Sequence, residues 1–470
     1  MPEKNDITVS KVYSHNVAQH KSNRRKFIKS IGIIGTLFSG NIFSFSNTKA
    51  EPKHSPCLFN QLPADFTYLN TGTEGSMPAC VLNELQQSQK RWATSPTNAY
   101  ETDEVLGKHQ HLNREKIANF LKVKKNNIAL TDNTTMGLSM AIMGLNFKAG
   151  DKVITTNHEH NAIASPLAIL QEKLDLTVHT QNFPSFKQLS KMSTAQVINA
   201  LLPNNEKLQG AKALCISHVF PSTGIRLPLK ALRKRADILG IKYLIIDGAQ
   251  AIGMVDLSQG ENHIAYADFY ACPGHKWLNG PPSTGILYIN NADIKPPEFY
   301  PVLSQRMGKY KGANTQPFPM AEALQVRGCI NAPGFAALIT AIEFGKSLGG
   351  YSVIEKHILS LSANVKHFIV NQSDDALVSP YKDKKLASGL TVFFPFNWAE
   401  PDKIYYDKTT AAFTVKTLLK QNIQIRYIGF NDPTYSDKKV YALRVSTAIF
   451  NTTEQIEQFK LSLKEVLLTI

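Results

Sequence analysis

Two residues twenty-nine positions apart, Asp247 and Lys276, are the strongest candidates for chemistry. In Leu244-Ile245-Ile246-Asp247-Gly248-Ala249-Gln250-Ala251 an apolar run ends in a carboxylate, and a tight turn places an amide three residues on. In Phe269-Tyr270-Ala271-Cys272-Pro273-Gly274-His275-Lys276-Trp277-Leu278 a second such run leads into a lysine. Ligands of open α/β sheets bind outside the carboxyl ends of the strands. An amine and a carboxylate on neighbouring strand ends suit a carbonyl cofactor, the lysine forming an imine and the carboxylate keeping a ring nitrogen protonated as an electron sink. Each residue alone has a plainer reading, because a strand-end Asp commonly forms a turn and a lone Lys is commonly solvated.

Further candidates surround this pair. His158-Glu159-His160-Asn161-Ala162 reads as loop polarity or metal binding, but His-x-His with no further ligand nearby is poor grounds for zinc, and no metal is expected. Thr131-Asp132-Asn133-Thr134-Thr135-Met136-Gly137 follows one strand and opens a helix, where free N–H groups and the helix dipole favour a phosphate. Plain capping by Asn and Thr is the structural alternative. Leu443-Arg444-Val445-Ser446-Thr447-Ala448-Ile449-Phe450-Asn451-Thr452 offers an arginine able to hold a carboxylate with two parallel hydrogen bonds, or to join a surface ion pair.

The elements that must hold these residues alternate. Amphipathic Glu104–Leu121 is followed by strand-like Asn127–Leu130, helix-like Met136–Leu145 and strand-like Lys152–Thr155. Further strands are expected at Leu176–Thr180, Ala213–Ser217, Tyr243–Ile246, Phe269–Ala271 and Gly285–Ile289, with helices at Ala162–Leu174, Thr194–Leu202 and Leu229–Leu239. Such alternation means βαβ units and a mainly parallel sheet covered on both faces. Helix-like Ala336–Leu348 leads out of this region. Strands at Gly389–Phe394, Gln424–Tyr427 and Tyr441–Ser446 and a last helix, Thr453–Leu467, suggest a smaller α+β domain.

The chain has 470 residues, 43% of them hydrophobic and 19% charged, so disorder and low complexity are excluded. No run of about 18 apolar residues occurs, which excludes a multi-span helical membrane protein. The net charge is +15, yet residues 1–50 hold eight Lys/Arg against two Asp/Glu, and the longest basic cluster, Lys230–Arg235, reads as a solvated helix face. Nucleic acid is therefore not an expected partner. The five cysteines, 57, 80, 215, 272 and 329, are odd in number and widely spaced, with no CxxC, and indicate neither a disulfide framework nor a thiolate zinc site. Asn23-Arg24-Arg25-Lys26-Phe27-Ile28-Lys29, then the glycine-broken apolar stretch Ile31–Phe45, then Thr48-Lys49-Ala50, resembles a twin-arginine export signal cleaved after Ala50. That resemblance implies export of the folded protein through the twin-arginine machinery, a periplasmic location and a cofactor loaded beforehand.

Over roughly residues 65–465 the motifs resemble the class V, or cysteine-desulfurase-like, branch of fold-type I pyridoxal phosphate enzymes. The resemblance implies a large α/β domain at 101–345, a small α+β domain at 346–470, and a segment at 51–100 that folds over the active site behind the 1–50 signal. It implies pyridoxal 5'-phosphate as cofactor, Lys276 as the imine-forming lysine, Asp247 as partner of the pyridine nitrogen and Gln250 as partner of the phenolic oxygen. It further implies His160 stacked on the ring, Thr134 and Thr135 on the phosphate with His275 assisting, and Arg444 on the substrate's α-carboxylate. Tyr68-Leu69-Asn70-Thr71-Gly72-Thr73-Glu74-Gly75 looks like the family's glycine-bearing loop over the site. The expected partners are a small-molecule or peptide substrate bearing an amine and a carboxylate, and a second subunit in a homodimer.

Departures from the family pattern narrow the activity. Cysteine desulfurases carry a nucleophilic cysteine on a loop before the carboxylate arginine, whereas residues 424–432 read Gln-Ile-Arg-Tyr-Ile-Gly-Phe-Asn-Asp and no cysteine follows Cys329. Pro221 stands where an asparagine is common, with Ser222 and Thr223 as candidate substitutes. Pro273 replaces a phosphate-binding serine, and Cys329 a threonine that reaches the partner subunit. The rest most resembles the isopenicillin-N-epimerase-like members, some of them exported to modify peptide siderophores. The expected activity is transamination or epimerisation at Cα, with a carbon–sulfur lyase or a non-catalytic binding protein as the alternatives.

Overall fold

A computed structural model describes residues 61–96, 110–302, 319–325, 327–435 and 438–470. The twin-arginine segment, Cys57 and the first part of the expected helix at Glu104–Leu121 lie outside them. In chain order the elements are β1 (Thr67–Tyr68), α1 (Ala79–Thr94), α2 (Gln110–Leu121), β2 (Ile128–Thr131), α3 (Thr134–Gly144), β3 (Lys152–Thr156), α4 (Asn161–Leu174) and β4 (Thr177–Gln181). There follow α5 (Phe186–Leu189), α6 (Thr194–Leu201), β5 (Ala213–Ser217), α7 (Leu229–Ile238), β6 (Tyr243–Asp247), β7 (Phe269–Pro273) and β8 (Gly285–Ile289). The chain closes with α8 (Met320–Gln325), α9 (Ala332–Ser347), α10 (Tyr351–Gln372), β9 (Leu390–Phe393), α11 (Lys408–Lys420), β10 (Ile423–Gln424), β11 (Arg426–Asn431), β12 (Lys439–Ser446) and α12 (Thr453–Leu467).

A seven-stranded sheet in the order β2-β8-β7-β6-β5-β3-β4 carries the site. Strands β3 to β7 run parallel, because α4, α6 and α7 return the chain between successive strands. Strand β8 is the exception: it runs antiparallel to both β7 and β2. No helix separates β7 from β8, so the chain turns back on itself instead of crossing over. The consequence for function is that β2, β3, β5, β6 and β7 all end at one edge of the sheet.

The interior strands are buried on both faces, as a covered parallel sheet requires. Alternate residues divide between two cores. Leu214, Ile216, Leu244 and Ile246 pack in one, and Ala213, Cys215, Tyr243 and Ile245 in the other. Each such aliphatic side chain contributes about 1.5–3 kcal/mol on burial, so the strand ends sit on a stiff base.

A second sheet, β11-β12-β9, is antiparallel and sets Arg426 directly opposite Arg444. The expected single strand Gln424–Tyr427 is in fact two, broken at Ile425: β10 pairs with β1 while β11 pairs with β12. Backbone bonds from Leu69 N–H to Gln424 O (2.9 Å) and from Ser446 N–H to Leu69 O (2.8 Å) tie the N-terminal loop to the ends of these strands. Helix α1 has no counterpart in the sequence reading, since it is polar on average and buries only Val81 and Ser88 fully. Cys80, at its start, is disulfide-bonded, which the odd cysteine count did not suggest. Cys215 and Cys272 are free and buried, and Cys329 is free and exposed. No described helix is long and apolar enough to cross a membrane.

Candidate active site

At the shared strand edge lies a cavity of about 580 Å³, lined by residues from the ends of β5 and β6, the turn after β7, the starts of α3 and α4, β11, β12 and the N-terminal loop. Asp247 ends β6 and is 5% exposed. Its Oδ1 accepts from Ala249 N–H at 2.8 Å, the bond that makes the strand-end turn. Burial raises its pKa above the usual carboxylate range, opposed by that bond and by nearby Lys276 and His160. A cation beside it would restore its anionic form.

Lys276 follows β7 by three residues. Burial pulls its pKa down to about 8; Asp247 opposes that, and Arg444 and Arg426 reinforce it. An amine held near neutrality is a nucleophile and a base, and lysines that form imines are prepared in this way. The backbone around Lys276 is clamped by the N-terminal loop. Gly75 N–H donates to His275 O at 2.7 Å, and a Cβ at Gly75 would sit 2.0 Å from Lys276 O. Only glycine permits that approach.

Gln250 spans the floor: its Nε2 donates to Gly72 O at 2.7 Å and its Oε1 accepts from Trp277 Nε1 at 3.0 Å. One amide N–H is left for a ligand. Thr134 and Thr135 open α3, whose cap is Asn133, with Oδ1 accepting from Met136 N–H at 2.9 Å. The capping reading therefore holds for Asn133, whereas Thr134 Oγ1 is buried with no hydrogen-bond partner among the described residues, as is His275 Nδ1. Both residues line the cavity.

His160 also lines the cavity and caps α4, its Nδ1 accepting from Ala162 N–H at 3.1 Å. The other histidine of the pair has a different task. His158 is pushed down to about 4, chiefly by burial, so it is neutral. Its Nε2 lies 3.0 Å from Asn431 O and must donate, so its Nδ1 accepts from Ser222 Oγ at 2.7 Å. It thereby ties β3 to β11. No metal cluster of His, Cys, Asp or Glu occurs among the described residues.

Arg444 is 3% exposed, and its Nη2 donates to Thr73 Oγ1 at 2.9 Å. Arg426 Nη1 reaches the same hydroxyl at 3.2 Å. Two like charges opposite each other on paired strands are unfavourable, and burial and Arg426 both weigh against the charge on Arg444. Its Nε is buried without a partner. This arrangement calls for an anion in the cavity.

Sequence reading overlooked four contributors: Glu159, His158, Thr73 and Arg426. Glu159 receives Thr156 Oγ1 at 2.8 Å and Ser217 Oγ at 2.5 Å, and burial lifts it to about 8. Its place between two histidines at a strand end was the available signal. Of the two substitutes considered beside Pro221, Ser222 is taken by His158, and Thr223 is buried, with its Oγ1 accepting from Ile225 N–H at 3.3 Å.

The residues present fit the pyridoxal phosphate that the sequence implies. The partnerless Thr134 hydroxyl at a helix start, the partnerless His275 nitrogen, the buried Asp247 carboxylate and the low-pKa Lys276 match that cofactor's phosphate, ring nitrogen and aldehyde in kind.

Among known proteins, a family model described as Aminotransferase class-V matches residues 67–459. A probable cysteine desulfurase of Methanothermobacter thermautotrophicus is 25% identical over 414 residues, covering 86% of this chain and 95% of that protein. An isopenicillin N epimerase of Streptomyces clavuligerus is 26% identical over 223 residues, 47% of this chain and 52% of that protein, so the match spans about half of the epimerase. The solved apo structure of a cysteine desulfurase from Thermococcus onnurineus NA1 is similar with a TM-score of 0.67 at 21% identity, covering 86% of this chain and 96% of that one, a likeness of fold.

Proposed function

Because this chain belongs to the aminotransferase class-V family and has its fold-type I architecture, we propose that it is a pyridoxal 5'-phosphate enzyme acting at Cα of an amino-acid-like substrate, by transamination or epimerisation. The observation that carries this reading is a cavity holding low-pKa Lys276, buried Asp247 and the under-partnered Arg444, with no cysteine among the described residues that line it. A desulfurase needs a thiolate to take the sulfur, and β11, which stands where that cysteine loop would be, presents Arg426, Ile428 and Phe430 to the site instead.

When bound, the cofactor supplies an aldehyde for the substrate amine and an electron-accepting ring that makes a Cα bond labile. Thr134, Thr135 and the start of α3 would hold its phosphate with His275. Asp247 would keep its ring nitrogen protonated, with His160 and the free N–H of Gln250 as its further partners. Arg444, steadied by Thr73, grips the substrate carboxylate and so fixes which Cα bond faces the ring. Lys276 Nζ is the base placed to take the Cα proton, and delivery of a proton to the opposite face of Cα would epimerise the substrate, whereas a Cα left without its proton would lead to transamination.

The twin-arginine-like leader supports export to the periplasm, and the disulfide at Cys80 is consistent with an oxidising compartment. A homodimer and a peptide-like substrate, such as a siderophore precursor, complete the proposal on the strength of the family and the leader. The test is incubation of the cofactor-loaded enzyme with D- and L-amino acids and small peptides in deuterium oxide. Deuterium at Cα with inversion marks an epimerase, and keto-acid formation with amino transfer to an acceptor marks an aminotransferase. Release of pyruvate and a sulfur product from cysteine conjugates would mark a carbon–sulfur lyase and overturn the reading.

A further inference from the structure

A second cavity, of about 600 Å³, lies between α10 and the segment 380–387, and none of its lining residues lines the first. One wall is a single stripe of α10, from Ser352 through Leu359 and Ala363 to Lys366, at the three- and four-residue spacing that places side chains on one helix face. Pro380, Tyr381 and Ala387 form the other. Most of this lining is carbon, but its charge is one-sided.

Lys366 is 3% exposed, and its Nζ donates to Ser388 O at 3.1 Å. The only charge bearing on it among the described residues is the like charge of Arg226, which with burial pulls its pKa down to about 7. Lys356 and Lys384 are exposed at the rim, one on each wall. The one lining carboxylate is already spent. Glu355 Oε1 is bonded to Arg226 Nη1, and its Oε2 accepts from Asp256 N–H at 2.8 Å. Arg226 also donates to Lys384 O and Lys385 O at 3.1 Å each, which holds the 380–387 wall in place. A buried amine without a counter-ion is costly to charge, and an anion beside it would favour the charged form. Lys366 lines a preformed cavity within the size range of small-molecule sites.

We infer that this cavity is a second ligand site, which takes an organic anion with an apolar body, its carboxylate or sulfonate meeting Lys366 and its body lying along Leu359, Ala363 and Tyr381. The inference does not depend on the activity proposed for the first cavity. The probe is 8-anilino-1-naphthalenesulfonate, titrated by fluorescence against cofactor-loaded protein after borohydride reduction, so that the first cavity is filled. Expected is one saturable site, weakened at least about tenfold in Lys366→Met and abolished in Ala363→Trp, which fills the cavity from an exposed helix position without disturbing the core. The neutral analogue N-phenyl-1-naphthylamine should bind more weakly than the anion. No saturable binding, equal binding by both variants and the wild type, or tighter binding of the neutral analogue would overturn the inference.

Discussion

Arg444 was legible from its segment, but what surrounds it was not, because Arg426 and Thr73 come from other parts of the chain and meet only through strand pairing. Its replacement by Gln should raise KM for carboxylate-bearing substrates and cost about 1.5–3 kcal/mol in kcat/KM, the worth of charge-assisted hydrogen bonds. Steady-state kinetics with an amino acid and its amide check this, and the amide should be indifferent to the change. Lys276 carries a pH signature. Its folded value of about 8 lies below the 10.5 of an unfolded lysine, so between those values the unfolded chain binds more protons and the stability of cofactor-free protein rises with pH. Lys276→Met should therefore stabilise cofactor-free protein by up to about 3 kcal/mol at pH 7, with the gain fading toward pH 10.5. Denaturant melts across pH measure it. Glu159 has the opposite sign. Raised from 4.5 to about 8, it is protonated in the neutral fold, and its contribution is lost as pH rises through that window. Glu159→Gln should gain on the wild type as pH increases from 5 to 8; a gap that narrows would show that the carboxyl is ionised.

Strands and helices of the large sheet were readable where apolar runs were continuous or amphipathic, as at β5 and β8, whose limits coincide with the expected ones. Direction was harder to read. The reversal of β8 follows from the missing crossover helix after β7, a feature present in the spacing but not in the residues of either strand. Helix α1 escaped notice because it packs against α9 with few apolar side chains. The break at Ile425 arises because β10 and β11 pair with different partners, which local sequence does not encode. The N-terminal loop is where element and chemistry meet, since Gly75 lets it touch the Lys276 backbone. Gly75→Ala should cost about 1–3 kcal/mol in stability through overpacking and loosen cofactor retention. Thermal melts and cofactor dissociation rates check both, and an unchanged dissociation rate would mean that the loop does not brace the lysine.

At the scale of the molecule, the sheet brings the ends of strands that are distant in sequence to one edge, which is why Thr134, Asp247 and Lys276, far apart in the chain, line one cavity. The alternating pattern foretold this edge, whereas the cross-sheet links through His158 and Thr73 required the fold. The proposed twin-arginine leader adds a cellular expectation. Replacing Arg24 and Arg25 by Lys should retain the protein in the cytoplasm, and a mature protein beginning after Ala50 should disappear from the periplasmic fraction, as read by fractionation and mass spectrometry. The central claim, that Lys276 carries the cofactor, is tested most directly by borohydride reduction of the purified protein with pyridoxal phosphate, followed by absorption spectroscopy and peptide mapping. The expected result is loss of the visible imine band and a stable pyridoxyl group on Lys276 alone, absent in Lys276→Ala. A label on another lysine, or no band and no label with added cofactor, would contradict it.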